Sequence, residues 1–281
     1  MTSMRLPAPA KLNLFLHVTG QRDDGYHTLQ TLFQLLDLHD TLDVRLTQTE
    51  SITLEGPDLG IANSENLVVR AALKLREAAP TASDPRGAHI TLHKRIPAGG
   101  GLGGGSSDAA TTLLALNHLW QCGLNNHELQ DLGRELGADV PVFVAGNSAW
   151  AEGIGEALTP VTLPESWYLI VAPDCPVSTA EIFSRPELTR TTPPITMATF
   201  FAGASRNDCQ PVVQNLYPEV DKALKWLGNF GEAKLTGTGA CVFARFESQA
   251  SAESAMAQLP EGWTAYVARG INRSPATQQL V

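Results

Sequence analysis

The chain contains 281 residues, of which 43% are hydrophobic and 17% are charged, enough apolar material for one large or two medium globular domains. Its 29 acidic and 20 basic residues give a formal net charge of −9. This balance disfavours nucleic acid as the main partner, because proteins that bind a phosphate backbone usually present a basic face. The four cysteines are widely spaced and include no C-x-x-C pair, which predicts free thiols in a reducing cytoplasm and disfavours a disulfide framework or a zinc site.

The first predicted strand covers residues 11–16, where polar and apolar side chains alternate. Lys11 and Asn13 share one face of this strand, and three leucines share the other. Taken alone, the polar pair fits a solvated face as well as it fits a functional site. The same two residues, together with His17, interrupt the apolar stretch at 12–18, so we expect neither a secretory signal nor a membrane span here.

A segment rich in glycine and aspartate, 20–27, is predicted to form turns. It places an aromatic ring, Tyr26, and an imidazole, His27, directly before the next strand. Alternation of apolar and charged residues at 42–46 predicts an antiparallel strand with one solvated face, and an i, i+3, i+4, i+7 apolar spacing after residue 65 predicts a helix. The elements expected before residue 89 are a strand at 28–38, a turn at 39–40, a strand at 41–46, a helix at 65–79 capped by Asn63 or Ser64, and a loop at 80–87.

The most distinctive stretch is 99–105, where six of seven residues are glycine and the backbone can approach a ligand without an intervening Cβ. An alternating strand is predicted before it, at 89–96, and a helix rich in alanine and leucine after it, at 109–120. Ser106 or Ser107 would cap that helix. A strand, a glycine-rich loop and a helix N-terminus in this order present free N–H groups to an anion, most often a phosphate.

Two other phosphate-binding loops share parts of this pattern. Gly99, Gly101 and Gly104 satisfy the dinucleotide-binding spacing G-x-G-x-x-G, but the preceding strand alternates, whereas a central parallel strand is usually apolar throughout. No acidic residue lies between positions 109 and 127, where a ribose-binding carboxylate about 20 residues further on would fall. A Walker A loop is also disfavoured, because no lysine follows the last glycine.

Asp139 stands alone between a predicted helix end and the apolar run 140–143. A bracing role in the turn and a functional role are equally compatible with that position.

The stretch 160–164 begins and ends with proline, which predicts a domain boundary there, with domains at 1–160 and 161–281. Strands and helices mix without steady β-α alternation, which indicates the α+β class. The remaining predicted elements are a short helix ending near 136 capped by Asn125 or Asn126, a strand at 168–172, a helix at 218–227, a second glycine loop at 237–239 leading into a strand, a helix at 250–258 and a strand at 264–268.

Three separated stretches resemble, in order, the motifs of the GHMP kinases, which transfer the γ-phosphate of ATP to a hydroxyl group of a small molecule. These stretches are 9–14, 99–107 and 237–240. The resemblance implies a two-domain α+β fold with the active site in the cleft between the domains. It also implies ATP as co-substrate and a small molecule as the partner, with neither a nucleic acid nor a membrane; the oligomeric state is left unassigned.

Within this family, three short motifs look like those of the members that act on a cytidine diphosphate-linked methylerythritol. They are AKLNL at 10–14, GYH at 25–27 and GADVP at 137–141. Those members phosphorylate the 2-hydroxyl of their substrate in the non-mevalonate route to isoprenoids. Two alternatives stay open: a GHMP kinase of the homoserine or mevalonate type, and a nucleotide-binding regulator that has lost catalysis. The GYH motif, which suits cytosine, favours the first interpretation over another GHMP kinase, and the presence of Lys11 and Asp139 argues against a regulator without catalysis.

The resemblance implies that Asp139 is the general base and that Lys11 lies beside it, stabilising the developing negative charge. Asn13 would orient the erythritol moiety. The residues implied to hold the cytosine are Tyr26, His27 and Phe183. The residues implied to bind ATP are Pro97, Ala98, Gly99, Gly100, Gly101, Leu102, Gly103, Gly104, Gly105, Ser106 and Ser107 around the phosphates, with Asn66 and Lys94 toward the adenosine.

Mg²⁺ is expected together with ATP, but the sequence assigns no residue to the metal. A ligand from Ser106 or Ser107 is compatible with the sequence. An ion held mainly by water and phosphate oxygens is equally compatible, since Mg²⁺ often keeps its waters.

Overall fold

The protein, seen in a computed structural model, is described over residues 2–79 and 87–280. Within these ranges strands and helices are mixed without a repeating β-α order, which confirms the α+β class. The strands are β1 (Ser3–Gln21), β2 (His27–Thr47), β3 (Ile52–Glu55), β4 (Gly87–His93), β5 (Ala149–Glu152), β6 (Ala157–Pro160), β7 (Trp167–Ala172), β8 (Ala233–Leu235), β9 (Val242–Phe246) and β10 (Thr264–Ile271). The helices are α1 (Leu67–Ala78), α2 (Gly104–Leu119), α3 (Asn126–Leu136), α4 (Val140–Ala145), α5 (Thr179–Ser184), α6 (Met197–Phe201), α7 (Gln210–Leu216), α8 (Pro218–Leu227), α9 (Gln249–Met256) and α10 (Pro275–Gln279).

The strands of the described ranges form a ten-stranded sheet built around the long pair of β1 and β2. β2 pairs antiparallel with β1, β4, β5 and β10, whereas β3 lies parallel to β4. β10 also pairs with β7, and the order β10-β7-β9-β8 completes the sheet. The last strand therefore joins the two halves of the molecule.

The turn predicted at 39–40 is wrong, because β2 runs unbroken from residue 27 to residue 47. Asp40 is fully buried in this strand, at 0% exposure. Its carboxylate accepts hydrogen bonds from the backbone N–H groups of Arg95 at 2.5 Å and Ile96 at 2.8 Å. The residue pair His39-Asp40 would favour a turn on its own. It stays extended because the backbone of Arg95, 55 positions away, binds the Asp40 carboxylate.

Asparagine side chains cap the N-termini of two helices. α1 begins after Asn66, not after the predicted Asn63 or Ser64, because the Asn66 side chain accepts a hydrogen bond from the backbone N–H two residues on, at 2.9 Å. α3 begins after Asn125, as predicted, and Asn125 forms a capping box with Glu128.

Most of the other predicted elements are confirmed to within a few residues. The predicted strands at 11–16, 89–96, 168–172 and 264–268 correspond to parts of β1, β4, β7 and β10, and the predicted helices at 109–120, 218–227 and 250–258 correspond to α2, α8 and α9. The apolar run 140–143 forms the first part of α4. The loop predicted at 80–87 lies outside the described residues except for Gly87, where β4 begins.

Separate apolar clusters lie against the helices of each half and between the two halves. The first lies between the sheet and α1–α4 and includes Leu42, Ile90, Leu113 and Val142. The second lies beneath α7, α8 and α9 and includes Val171, Val213, Leu224 and Val242. The third joins the halves and includes Leu12, Leu36, Leu102, Ile170 and Phe243. Because Leu102 belongs to the glycine-rich stretch, the third cluster anchors that stretch between the halves.

The predicted division into 1–160 and 161–281 stays a prediction. The end of the described chain returns to the first half, because β10 pairs with β2 and Ala276 of α10 belongs to the first apolar cluster. Wherever the limit is drawn, the core of the first half includes residues from the last part of the chain.

The longest helix of the described chain, α2, has 16 residues, and within the described ranges no helix combines the length and the apolar character needed to cross a bilayer. Cys175, Cys209 and Cys241 are free thiols. The cytoplasmic location inferred from the cysteine usage stays a prediction.

Candidate active site

The glycine-rich loop is shaped by three glycines in the left-handed conformation. Gly99, Gly101 and Gly103 have φ values of 67°, 76° and 73°, which residues with a Cβ rarely adopt. Gly103 is the N-cap of α2, so the predicted serine cap is wrong: Ser106 and Ser107 lie inside the first turn. The loop therefore ends at the start of a 16-residue helix, whose first N–H groups have no partner within the helix.

The second glycine loop, 237–239, packs directly against the first through its neighbours Thr236 and Cys241. The Gly101 carbonyl accepts a hydrogen bond from the Thr236 hydroxyl at 3.2 Å, and the Gly100 carbonyl accepts one from the Cys241 N–H at 3.1 Å. A Cβ added at Gly101 would lie 2.2 Å from the Thr236 carbonyl oxygen, and one at Gly100 would lie 2.5 Å from the Cys241 Sγ. The close approach of the two loops therefore requires glycine.

Lys11 is a buried cation beside these loops, with its side chain only 3% exposed. Its Nζ lies 2.6 Å from the Asn13 Oδ1, 2.9 Å from the Gly101 carbonyl oxygen and 3.3 Å from the Asp139 Oδ2. An ammonium group has three protons to donate, so each has an oxygen acceptor. A charge is tolerated in the interior only when it is paired and hydrogen-bonded in this way.

Asp139 is more open to solvent than its partner, with 35% of its side chain exposed. It occupies the N-cap position of α4, yet its side chain makes no capping hydrogen bond. The bracing role that the sequence left open is therefore not supported. The carboxylate is oriented by Lys11 and remains accessible to a ligand.

Asn13 connects β1 to the second glycine loop and to β2. Its backbone N–H donates to the Thr236 hydroxyl at 3.0 Å, and its Nδ2 donates to the Thr31 hydroxyl at 2.9 Å. The strand pairing shifts register between Asn13 and Leu16, and such irregularities re-aim side chains near functional sites. The shared face predicted for Lys11 and Asn13 is confirmed, but it is buried against the two loops and not solvated.

Lys94 belongs to a buried charge cluster at the base of the glycine-rich loop. Its ammonium pairs with Asp40 and, at 2.8 Å, with Asp108; the side chains of the three residues are 13%, 0% and 3% exposed. Because Lys94 precedes the loop and Asp108 follows it, the hydrogen bond from Lys94 to Asp108 joins the two ends of the loop. The role of Lys94 toward adenosine stays a prediction, since its charge already has partners within the protein.

Two carboxylates share one ammonium in this cluster, which leaves one negative charge in excess. Burial raises the pKa of Asp108 to about 7, against the opposing effect of Lys94. Burial alone would lower the pKa of Lys94, but the charges of Asp108 and Asp40 outweigh it and raise that pKa. The Asp108 Oδ1 has no hydrogen-bond partner within the described part of the chain. We therefore expect Asp108 to keep its proton to near neutral pH.

Asn66 lies at the start of α1, beside a surface cavity of about 430 Å³. Its Oδ1 accepts the capping hydrogen bond, so its amide protons remain available as donors. The starts of α1 and α2 are adjacent, because a Cβ added at Gly105 would lie 3.7 Å from the Leu67 Cδ1. The other residues that line the cavity include Leu54, Pro57, Asn63 and Leu92. The cavity is therefore next to the end of the glycine-rich loop.

His27 and Phe183, which are far apart in the sequence, stack on each other with ring centroids 5.0 Å apart and planes at 30°. Tyr26, the neighbour of His27, is 64% exposed. The helix that carries Phe183, α5, is joined to the second glycine loop by a hydrogen bond of 2.8 Å between the hydroxyls of Thr179 and Thr238. The structure thus brings two of the three predicted cytosine-binding rings together and leaves the third at the surface.

Sequence reasoning missed four residues that support this site: Asp40, Thr236, Asn207 and Arg190. Asn207 fixes the second glycine loop, because its Nδ2 donates to the Leu235 carbonyl, just before the loop, at 2.9 Å and to the Gly237 carbonyl at 2.8 Å. Thr236 directly precedes a recognised motif and could have been found by that adjacency. Asp40 was predicted to lie in a turn. The sequence around Asn207 and Arg190 contains no motif or periodic pattern that would indicate a role for them.

Comparison with known proteins identifies the family. The description "GHMP kinases N terminal domain" matches residues 66–147, and "GHMP kinases C terminal" matches residues 196–265. A relative from Pseudomonas aeruginosa (strain LESB58), named 4-diphosphocytidyl-2-C-methyl-D-erythritol kinase, is 55% identical over 277 residues, which cover 99% of this chain and 97% of the relative. The chain belongs to the GHMP kinase family. A relative of the same name from Marinobacter nauticus is 52% identical over 284 residues, covering 100% of this GHMP kinase and 98% of that protein.

Solved structures are similar over nearly the whole chain. A crystal structure of 4-(cytidine 5'-diphospho)-2C-methyl-D-erythritol kinase shares 35% identity with this GHMP kinase at a TM-score of 0.81, covering 96% of this chain and 100% of that one. Mevalonate kinase from Methanococcus jannaschii is 18% identical at a TM-score of 0.70, with 96% and 98% coverage, and this likeness shows a shared fold. The GHMP kinase fold implied by the motifs is thereby confirmed.

Gly101→Ala tests the close packing of the two loops. The new Cβ would lie 2.2 Å from the Thr236 carbonyl oxygen at a φ of +76°. The left-handed backbone costs roughly 1–2 kcal/mol for a residue with a Cβ, and overpacking adds roughly 1–3 kcal/mol. We expect the free energy of unfolding, measured by urea denaturation, to fall by about 2–5 kcal/mol.

Gly105→Ala is the matched control for this kinase. Its Cβ would make an ordinary contact of 3.7 Å with Leu67 within the first turn of α2. We expect the free energy of unfolding to rise by at most about 1 kcal/mol, the difference in helix propensity. Equal stability of Gly101→Ala and the wild type would contradict the packing described here.

Asp108→Asn tests the charge cluster through pH. Because folding raises the pKa of this carboxyl group from 3.8 to about 7, the folded state binds the proton more tightly than the unfolded state. The resulting stabilisation is complete below the unfolded pKa and is lost as pH rises through the folded pKa. Asparagine stays neutral, so the free energy of unfolding of the variant relative to the wild type should rise between about pH 4 and about pH 7 and level off above that. A pH-independent difference in urea denaturation would contradict the retained proton.

Proposed function

We propose that this protein transfers the γ-phosphate of ATP to the 2-hydroxyl of 4-diphosphocytidyl-2-C-methyl-D-erythritol and releases ADP, a step in non-mevalonate isoprenoid precursor biosynthesis. The observation that carries the proposal is the ion pair of 3.3 Å between Lys11 and Asp139, whose ammonium also contacts the Gly101 carbonyl at 2.9 Å. It places an accessible carboxylate and a buried cation beside a loop suited to phosphate. Identity of 52–55% to kinases of that name supports the choice of acceptor.

In this proposal the residues 97–107 bind the ATP phosphates. The left-handed glycines and the first turn of α2 supply backbone N–H groups, and the helix dipole favours an anion there. The adenosine would extend toward Asn66 and the cavity at the start of α1. Lys94 would act at the same end of ATP, chiefly by holding the base of the loop.

The chemical step uses Asp139 as general base. The 2-hydroxyl oxygen attacks the γ-phosphorus, its proton passes to the Asp139 carboxylate, and the bond from the γ-phosphorus to the bridging oxygen breaks to release ADP. Lys11 orients the carboxylate and stabilises the negative charge that develops on the transferred group. Positioning and charge stabilisation supply most of the acceleration in phosphoryl transfer, and a buried cation is well suited to both tasks.

Mg²⁺ is proposed to accompany ATP. Across residues 2–79 and 87–280, no cluster of three or more His, Cys, Asp and Glu side chains could hold a metal ion. The ion would therefore be held mainly by phosphate oxygens and water. The hydroxyl of Ser107, which is buried and has no hydrogen-bond partner in the described chain, and that of Ser106 are the protein oxygens that could complete its shell. When bound, the ion would neutralise charge on the phosphates.

The acceptor would bind through its cytosine and its erythritol. Tyr26, His27 and Phe183 would hold the base, since aromatic faces stack on a pyrimidine and His27 adds hydrogen bonds to its edge. An aromatic ring that is 64% exposed, as Tyr26 is, has apolar area available for such a ligand. Asn13, held between Lys11 and Thr31, would orient the erythritol moiety.

Asp139→Asn is expected to lower kcat roughly 10²-fold or more, the usual contribution of a positioned base. The KM for ATP should change little, because Asp139 lies outside the glycine-rich loop. Coupled detection of ADP release measures both. The matched control is Asp131→Asn on the surface of α3, where the side chain is 47% exposed, and its kcat should match the wild type. Unchanged turnover in Asp139→Asn would remove this residue from the mechanism.

The acceptor is tested by measuring ADP release from the wild-type enzyme with three alcohols: 4-diphosphocytidyl-2-C-methyl-D-erythritol, mevalonate and homoserine. We expect turnover with the cytidyl compound alone, because only this compound offers a base to the aromatic residues. Turnover with mevalonate or homoserine, and none with the cytidyl compound, would overturn the proposed function.

A further inference from the structure

Arg190 lies outside every motif of the sequence, yet its guanidinium joins the two residues of the stacked aromatic pair. Its Nε donates to the His27 Nε2 at 3.0 Å, and a terminal nitrogen donates to the Phe183 carbonyl at 2.8 Å. Further hydrogen bonds reach the carbonyls of Arg185 at 2.8 Å and Leu188 at 3.0 Å. A guanidinium has five N–H groups in a rigid plane, so these contacts fix its orientation.

The hydrogen bond from Arg190 determines which nitrogen of His27 carries the proton. Arginine can only donate, so the His27 Nε2 must accept and must be unprotonated. The neutral imidazole then carries its proton on Nδ1. Burial lowers the pKa of His27, and the charge of Arg190 lowers it further, which agrees with a neutral ring.

The neighbouring arginines differ from Arg190 in their partners. Arg185 pairs with Glu181, and Arg206 pairs with Asp208, whereas Arg190 donates to carbonyl groups and to an imidazole. Carbonyl oxygens do not cancel its charge as a carboxylate would. The full positive charge beside His27 therefore opposes protonation of the ring.

The Nδ1–H of His27 is left to bind a ligand, since the described residues offer it no hydrogen-bond partner. A donor at this point discriminates between pyrimidines by the atom at ring position 3. In cytosine that nitrogen is an acceptor, and the adjacent O2 is a second one. In uracil the same nitrogen carries a hydrogen, which would face the Nδ1–H directly and leave two donors unpaired.

We infer that Arg190 is a positioning residue: by holding His27 with its proton on Nδ1, it makes the site accept cytosine and reject uracil. The inference rests on the proposed function, because it assumes that these rings bind the base of the acceptor. The same guanidinium holds the Phe183 carbonyl, so the stacking ring and the hydrogen-bond donor are set by one group. Without Arg190 the imidazole could place its proton on either nitrogen, and Nδ1 could accept from uracil.

The first test reads the proton position in the wild-type enzyme. Nitrogen-15 NMR of histidine-labelled protein near neutral pH distinguishes the two neutral forms through long-range proton–nitrogen correlations, and His27→Gln identifies the His27 signals. We expect the Nδ1-protonated form in the wild type and its loss in Arg190→Met. An Nε2-protonated or doubly protonated His27 in the wild type would overturn the inference, whether or not any Arg190 variant folds.

The second test measures base selectivity as the ratio of kcat/KM for the cytidyl acceptor to that for its uridine counterpart. In the wild type, uracil would leave the His27 Nδ1–H buried without an acceptor. We expect Arg190→Met to remove this penalty and so to lower the ratio roughly 10- to 100-fold, the usual cost of one unpaired buried donor. Arg185→Met, which removes a guanidinium from the same segment without contact to His27, should keep the wild-type ratio.

An unchanged ratio in Arg190→Met, with the Nδ1-protonated form retained, would overturn the inference. If that variant is too weakly active to give a ratio, the wild-type NMR pattern decides. Lack of wild-type activity with the cytidyl acceptor would instead defeat the proposed function, so the two failures are distinguishable.

Discussion

The carbonyl oxygen of Gly101 is the point at which three distant parts of the chain meet. It accepts hydrogen bonds from the Lys11 Nζ at 2.9 Å and from the Thr236 hydroxyl at 3.2 Å. The approach is possible only because Gly101 has no Cβ, which would lie 2.2 Å from the Thr236 carbonyl oxygen. The shape of the glycine-rich loop and the position of the Lys11–Asp139 pair therefore depend on the same contact.

Two lysines lie beside this loop, and their surroundings suit them to different tasks. Lys11 pairs with a carboxylate that is 35% exposed, so this pair remains open to solvent on the carboxylate side. Lys94 pairs with carboxylates that are 0% and 3% exposed, so its ion pairs are sealed from solvent. Removing one partner of a buried pair is costly because the other charge is left uncompensated, and the sealed cluster is thus well suited to holding the ends of the loop together.

Features that depend on neighbouring residues could be predicted from the sequence. The glycine run between a strand and a helix, the shared face of Lys11 and Asn13, and the Asn125 cap all follow from local spacing and backbone preference. The meeting of Lys11 and Asp139 beside the first glycine-rich loop was implied by the resemblance of the motifs to a known family, whereas the contact with the second glycine loop was not. Composition and periodicity alone left the roles of Lys11 and Asp139 open.

Features that depend on distant partners could not be predicted. Asp40 remains in a strand because backbone groups 55 and 56 positions away bind its carboxylate. Arg190 reaches His27 across 163 positions, and nothing in its own segment indicates this. Gly103 replaced the predicted serine cap because the left-handed turn of the loop, and not a side-chain hydrogen bond, begins α2.

The return of β10 and α10 to the first half of the molecule has a consequence for biosynthesis. Because Ala276 completes the first apolar cluster and β10 lies beside β2, that cluster stays incomplete until residue 276 has left the ribosome. A nascent chain that stalls earlier would expose apolar surface and an unpaired strand edge, the features that promote aggregation. Assembly of the first half is thus coupled to the synthesis of β10 and α10.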